Sequence, residues 1–413
     1  MNYFVSLEFY LLLIPLLFLM KLFCKKQSLV DASLVAINFV FIYLLLNQSL
    51  AALLLIFFLT VLVWWISKFL ASHTNQSLLV GAVVTVLAVL AFSKYSFFYE
   101  SQWAGWISFK FKELFHIKQM ALLGVGVSYF SFKMIHYLNE CSLKNISNSS
   151  LLRFLNYILF FPTFISGPMD RFERFSADID NYSSHKLNSD ILIHSLFRIF
   201  LGLFKKIVLV SILAGYTLDQ SNASAFVDLD FIDVAVGAYA YAFMLYLDFS
   251  GYSDMAIGVS RLFGITTPEN FNSPFLATSI QDFWNRWHIT LSTWIRDYIF
   301  SPLFKSFMLK APKVAPTLLS SVAIFIAFVL CGVWHGDGLN YTIWGALNGL
   351  ALSSQILYKA WIKANAKQWY KLHKKDSWYK MACWAVTFHF VVFSLLIFSM
   401  DASKLKALLL SQF

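Results

Sequence analysis

Long apolar runs recur along almost the whole chain, near 9–24, 29–46, 50–66, 78–92, 119–138, 151–168, 190–213, 233–250, 317–335, 339–358 and 381–400. Each is close to the length a helix needs to cross a hydrocarbon layer roughly 30 Å thick at about 1.5 Å per residue. Inside that layer every backbone polar group must be bonded within the protein, so runs of this kind are accommodated as helices. The pattern predicts an all-α, multi-pass integral membrane protein of about eleven crossings. A chain that is 59% hydrophobic and only 13% charged is a poor candidate for a water-soluble enzyme. The opening residues MNYFVSLEFY lack a basic leader and a small-residue cleavage site, so the first run is expected to stay as a helix. With no internal repeat and no long polar stretch, a single membrane domain over residues 1–413 is the economical organisation.

The net charge of +10 has a topological explanation. Lys21, Lys25 and Lys26 follow the first run, and Lys305, Lys310 and Lys313 precede the run at 317–335; both loops are expected on the cytoplasmic side. The stretch YKAWIKANAKQWYKLHKKDSWYK places Lys359, Lys363, Lys367, Lys371 and Lys375 four residues apart, with Trp361, Trp369, Tyr370, Trp378 and Tyr379 between them. It reads as a basic interfacial helix, either anchored on anionic membrane lipid or docking an acidic protein. No basic patch stands on a soluble domain, so nucleic acid is not an expected partner. Cys24, Cys141, Cys331 and Cys383 have no metal-site or disulfide spacing and read as small apolar residues. His136 and His389 lie alone in apolar runs and read as core residues.

Four segments carry polar chemistry into this apolar setting. In SIQDFWNRWHITLSTWIRDYIF, residues 279–300, helical periodicity puts Gln281, Asn285, His288 and Ser292 on one stripe. Trp284, Trp287, Leu291, Trp294 and Tyr298 form another. A helix lying at the membrane surface and a polar seam lining a reaction chamber both fit that pattern. In FVLCGVWHGDGL, an apolar run ends at Trp334-His335 among glycines, where a histidine suits proton transfer or a helix end. In FFPTFISGPMDRFERF, Pro162, Gly167 and Pro168 interrupt a run before Asp170 and Arg171, as in a broken helix lining a cavity or a plain loop boundary. In LYLDFSGYSDMAIG, Asp248 and Asp254 flank Gly251 at the end of a run.

The runs SGPMDR, DFSGYSDMAIG, PENFNSPF, DFWNRWHITLSTWIRDY and GVWHG, in this order, resemble the membrane-bound O-acyltransferase (MBOAT) superfamily. Within it the likeness is to the bacterial branch of DltB and AlgI type, with a signature core at about 120–350. The resemblance implies helices around a central funnel or chamber, and transfer of an acyl group from a thioester to a hydroxyl. It makes His335 the general base and His288, at the second signature position, its assistant; the seam residues Asn285 and Ser292 are expected as donors to the oxyanion, and Trp287, Trp334, Asp170 and Arg171 are further expected substrate-binding residues. No metal and no permanently bound cofactor are expected. The donor would be the phosphopantetheine thioester of an acyl or aminoacyl carrier protein, docked on Lys305, Lys310 and Lys313, or else acetyl-CoA. The acceptor would be a cell-envelope polymer or glycolipid. A secreted or membrane-anchored transferase is the expected outer partner, and the bacterial cytoplasmic (inner) membrane the expected location. D-alanyl or another aminoacyl group is the first expectation for the acyl group, and acetyl the alternative. A transporter or flippase would share the broken helices and buried polar residues, but would leave the two histidine motifs without a role.

Overall fold

The computed structural model describes residues 3–23, 26–73, 75–95, 126–146, 149–182, 187–218, 230–401 and 404. Cys24, Lys25, the first part of the 119–138 run and the chain beyond Lys404 lie outside the described residues. Among those described, all regular structure is helical. Among the described residues six helices are long and apolar enough to cross a membrane, where the sequence suggests about eleven runs in the whole chain: Gln27–Leu45, Leu50–Ser72, Gln76–Lys94, Phe231–Leu262, Pro316–His335 and Ser377–Ser399. Two of the other runs fall short for visible reasons. The run at 151–168 is broken into Leu151–Leu159 and Phe161–Phe164, with Pro162 at the second position of the shorter piece. The run at 190–213 winds into a π-helical stretch at Phe204–Leu209.

The chain divides into two compact units, residues 1–204 with 251–268 and residues 205–250 with 269–413. In the first unit we number the helices α1 (Leu7–Phe23), α2 (Gln27–Leu45), α3 (Leu50–Ser72), α4 (Gln76–Lys94), α5 (Val127–Ser142) and α6 (Leu151–Leu159). Helix α5 packs against α3 and α4, and α6 packs against α2. The Ser49 and Asn75 side chains cap α3 and α4 by accepting from the Ala52 and Leu78 N–H groups. Charge that cannot reach water is paired: Arg153 makes a bidentate contact with Asp31 at 2.9 and 3.1 Å and reaches Asp180 at 2.8 Å. Asn156 donates to the Asp31 carbonyl, and Asn38 donates to Asn156. Where the chain breaks after α6, the Phe161 N–H donates to Asn38 Oδ1 at 3.0 Å, so the break leaves that donor satisfied at depth.

In the second unit α7 (Ile280–Trp284), α8 (Ile289–Ile295), α9 (Ser301–Lys310), α10 (Pro316–His335), α11 (Leu339–Asn365), α12 (Lys367–His373) and α13 (Ser377–Ser399) follow one another. Helices α10 and α11 form a close antiparallel pair. A methyl group on Gly332 would overlap the Tyr341 carbonyl and stand 3.0 Å from the Gly345 Cα, so only glycines allow this approach. The basic stretch at 359–380 is not one interfacial helix. Lys359 and Lys363 ride on the last turns of α11, α12 is a separate short helix, and α13 begins at Ser377.

Candidate active site

The segment 279–300 is not the continuous helix that its periodicity predicts. It turns between α7 and α8, where His288 adopts a left-handed backbone (φ 42°, ψ 52°), and it becomes π-helical at Arg296–Phe300. A non-glycine residue in that region carries strain that surrounding bonds must offset. Asn270 supplies them. Its carbonyl accepts from the Ile289 N–H at 2.9 Å, and its Oδ1 accepts from the Thr290 N–H at 3.3 Å and the Thr290 hydroxyl at 2.9 Å. The same Oδ1 lies 3.2 Å from His288 Nδ1. Because an amide oxygen only accepts, the proton sits on Nδ1 and the basic lone pair on Nε2.

The break separates the expected stripe. Gln281, Asn285 and Ser292 line one cleft of about 330 Å³ with Trp284, Arg296 and Gln355, in the size range of small-ligand sites. His288 instead sits in a buried aromatic setting, its ring 4.7 Å from Phe249. Trp287 stands 5.2 Å from Phe271, which contacts Phe249 in turn. His288 lies outside the membrane-crossing helices, and burial pushes its imidazole down to about 3, so the ring is neutral near pH 7. The other expected wall is divided as well: Trp284, Trp287, Leu291 and Trp294 are buried and Tyr298 half-buried, but Trp284 lines the polar cleft while Trp287 packs on Phe271.

His335 ends α10, half-buried, with Trp334 at 4.6 Å and the rings of Trp344 and Phe398 edge-on at 5.1 and 5.0 Å. Trp344 stands 5.8 Å from Trp284, which lines the polar cleft and donates to Asn348 Oδ1. The Trp344 ring therefore bridges His335 to the Trp284 wall of the cleft. Asp170 and Arg171 fall in the first unit. There Asp170 bonds Arg174, its backbone carbonyl accepts from Tyr157, and Arg171 lies 3.4 Å from His136. Lys305, Lys310 and Lys313 are exposed on α9 and the turn after it.

Several other expectations have structural outcomes. His136 is buried as expected, yet it is well partnered, accepting from the Phe172 N–H and facing Glu173. His389 is exposed on α13, not in a core, and bonds Tyr239 at 2.8 Å. Cys141 and Cys331 are buried and Cys383 is partly so. Asp248 and Asp254 lie within the continuous helix Phe231–Leu262, paired with Lys206 and Arg198 respectively. The residue that sequence reasoning missed is Asn270: its only signal was an amide in PENFNSPF, and its role depends on a contact eighteen positions away.

Comparison with known proteins supplies the family. Residues 127–400 match the family model described as MBOAT, membrane-bound O-acyltransferase family. The chain is 30% identical over 388 residues to a teichoic acid D-alanyltransferase of Streptococcus thermophilus, covering 92% of this chain and 89% of the relative. It is 35% identical over 280 residues to the Bacillus subtilis protein of the same name, covering 67% and 68%. It is also 34% identical over 323 residues to a probable alginate O-acetylase AlgI of Pseudomonas syringae, covering 78% and 57%. Helices able to cross a membrane, a polar cleft beside a histidine-tipped helix and these likenesses lead to one assignment: the chain belongs to the membrane-bound O-acyltransferase family and is a multi-pass membrane acyltransferase.

Proposed function

We infer that the chain transfers a D-alanyl group from a carrier-protein thioester to a hydroxyl of a cell-envelope polymer, working as one domain in the bacterial cytoplasmic membrane. The observation that carries this reading is the cleft of Gln281, Asn285 and Ser292, whose Trp284 wall reaches His335 through Trp344. A thioester is already activated, so the site has three tasks: to orient it, to remove one proton and to stabilise a tetrahedral oxyanion. His335 takes the proton of the attacking hydroxyl. The new C–O bond forms as the carbonyl becomes an oxyanion, and collapse breaks the C–S bond and releases a thiol that takes the proton back. Asn285 and Ser292 are the donors offered to the oxyanion, Trp284 forms the cleft wall, and Trp334 packs beside His335. The neutral, strained His288 assists by holding the turn between α7 and α8, with Nε2 as a hydrogen-bond acceptor.

Asp170 and Arg171, expected among the substrate-binding residues, belong to the first unit, where Asp170 is tied to Arg174. Lys305, Lys310 and Lys313 offer an exposed basic face to an acidic carrier on the cytoplasmic side. The acceptor, and a secreted or membrane-anchored partner, belong to the outer side. Relatives named as D-alanyltransferases support the aminoacyl group, with acetyl second because of the likeness to an alginate O-acetylase. The deciding experiment is mass spectrometry of envelope polymers from a deletion strain complemented with the intact protein or with His335→Ala. The reading expects an ester with the mass of alanine in the first and not in the second. An acetyl mass would select the second reading. A His335→Ala protein that restores the ester would remove this histidine as the base, and no ester change on deletion would end the acyl-transfer reading.

A further inference from the structure

A second and larger cavity in the second unit, about 1030 Å³, shares Gln355 with the polar cleft but supplies no group to the proposed reaction. The last turns of α11, all of α12 and the first half of α13 build it. Lys359, Lys363, Lys367, Lys371, Lys374 and Lys380 line it, while Ile362, Ala382, Val386 and Phe390 supply an apolar wall. Among the described residues little neutralises this charge. Lys359 donates to Gln281 Oε1 at 2.6 Å and Lys374 lies over the Tyr370 ring. Asp376, the acidic residue of the stretch, is taken up by His373 at 2.8 Å. Among the described residues no carboxylate pairs with Lys363, Lys367, Lys371 or Lys380.

Charge and apolar wall together point to the occupant. The apolar wall continues along α13, a helix long and apolar enough to cross a membrane. Trp361, Trp369 and Trp378 are exposed on the same three helices, and such rings favour headgroup level. A cationic mouth beside an apolar wall, flanked by such rings, fits a molecule with an anionic phosphate at one end and a hydrocarbon chain at the other. An acidic protein would use the charge but leave the apolar depth unfilled. We propose that this cavity binds one anionic phospholipid, its phosphate on Lys363, Lys367, Lys371 and Lys374 and an acyl chain along Val386 and Phe390. This goes beyond the general attraction of basic segments to anionic membranes, because it is saturable and holds a single lipid. It does not depend on the acyl group or on the acyl-transfer reading.

The test uses the full-length protein, freed of lipid in a neutral detergent, with native mass spectrometry to count bound molecules and determine their affinity. The probes are phosphatidylglycerol, phosphatidylcholine with the same chains, and inorganic phosphate. One phosphatidylglycerol is expected to bind at least tenfold more tightly than phosphatidylcholine, with no saturable binding of phosphate. The quadruple variant Lys363→Ala/Lys367→Ala/Lys371→Ala/Lys374→Ala should lose at least tenfold of that affinity, and all four side chains are exposed, so folding is spared. Val386→Trp, at a position 73% exposed, should fill the cavity and weaken lipid binding with the charge intact. Equal binding of phosphatidylcholine, or phosphate binding as tightly as the lipid, would overturn the proposal. So would an unchanged lipid affinity in either variant, including the case in which the quadruple variant loses only an acidic carrier protein.

Discussion

Replacing Asn270 with alanine tests the least visible part of the site. Its side chain is fully buried, and its Oδ1 accepts from His288 Nδ1, the Thr290 N–H and the Thr290 hydroxyl. The hydroxyl can turn to a carbonyl in the preceding turn, which leaves two buried donors without a partner at about 1–3 kcal/mol each. After relaxation roughly 3 kcal/mol remains, to which release of the left-handed His288 backbone adds a driving force away from the native turn. At about 1.4 kcal/mol per factor of ten, the competent arrangement should become about a hundredfold rarer. Acyl transfer in reconstituted vesicles should fall by roughly 30- to 100-fold, while helical content by circular dichroism stays the same. Asn270→Asp separates position from composition, because a carboxylate accepts from all three donors. It should hold the turn, favour the imidazolium form of His288, and retain activity best at alkaline pH. The reasoning fails if Asn270→Ala keeps more than half of the activity while His288→Ala is inactive, since the ring would then be placed by something other than this amide.

Burial holds the folded pKa of His288 near 3, against an ordinary value of about 6.5, so between these limits the unfolded chain binds more protons. Stability should therefore rise with pH across that window, by up to about 1.4 kcal/mol per unit, and be lost on acidification. His288→Gln should show a shallower dependence in thermal melts at pH 4 to 7, and equal slopes would contradict a buried neutral ring. Gly332→Ala forces apart α10 and α11 and should cost about 1–3 kcal/mol with a drop in activity through His335. Gly81→Ala, which meets nothing within 4 Å on α4, should be neutral or stabilising by up to about 1 kcal/mol. Thermal midpoints of the pair check the contrast, and equal shifts would refute the close-approach argument. Arg153→Ala leaves Asp31 buried without its partner and should cost about 3–5 kcal/mol. Asp31→Asn in the same protein should recover part of that loss, and a double variant no better than the single one would argue against a shared network.

Hydropathy alone determined the class of fold, because a bilayer admits few ways to satisfy the backbone of long apolar runs. The residues that matter for chemistry were also legible, since polar groups are costly in such a setting and the Trp334-His335 and Asn285–Ser292 segments stand out against it. Only the tertiary structure decided how those groups are aimed. Periodicity placed His288 with Gln281, Asn285 and Ser292, but that rests on an unbroken helix, and the bonds from Asn270 stabilise a left-handed turn that sends the ring elsewhere. Proline showed that the run at 151–168 must bend, whereas the Asn38 contact that satisfies the freed N–H comes from a helix more than a hundred residues earlier. Likewise the lysine spacing announced a basic surface, and only the folding back of α11, α12 and α13 turned it into a cavity with an apolar wall. Local composition governs whether a segment leaves water; the direction in which a side chain points is set by partners distant in sequence, and those exist only once the chain has packed.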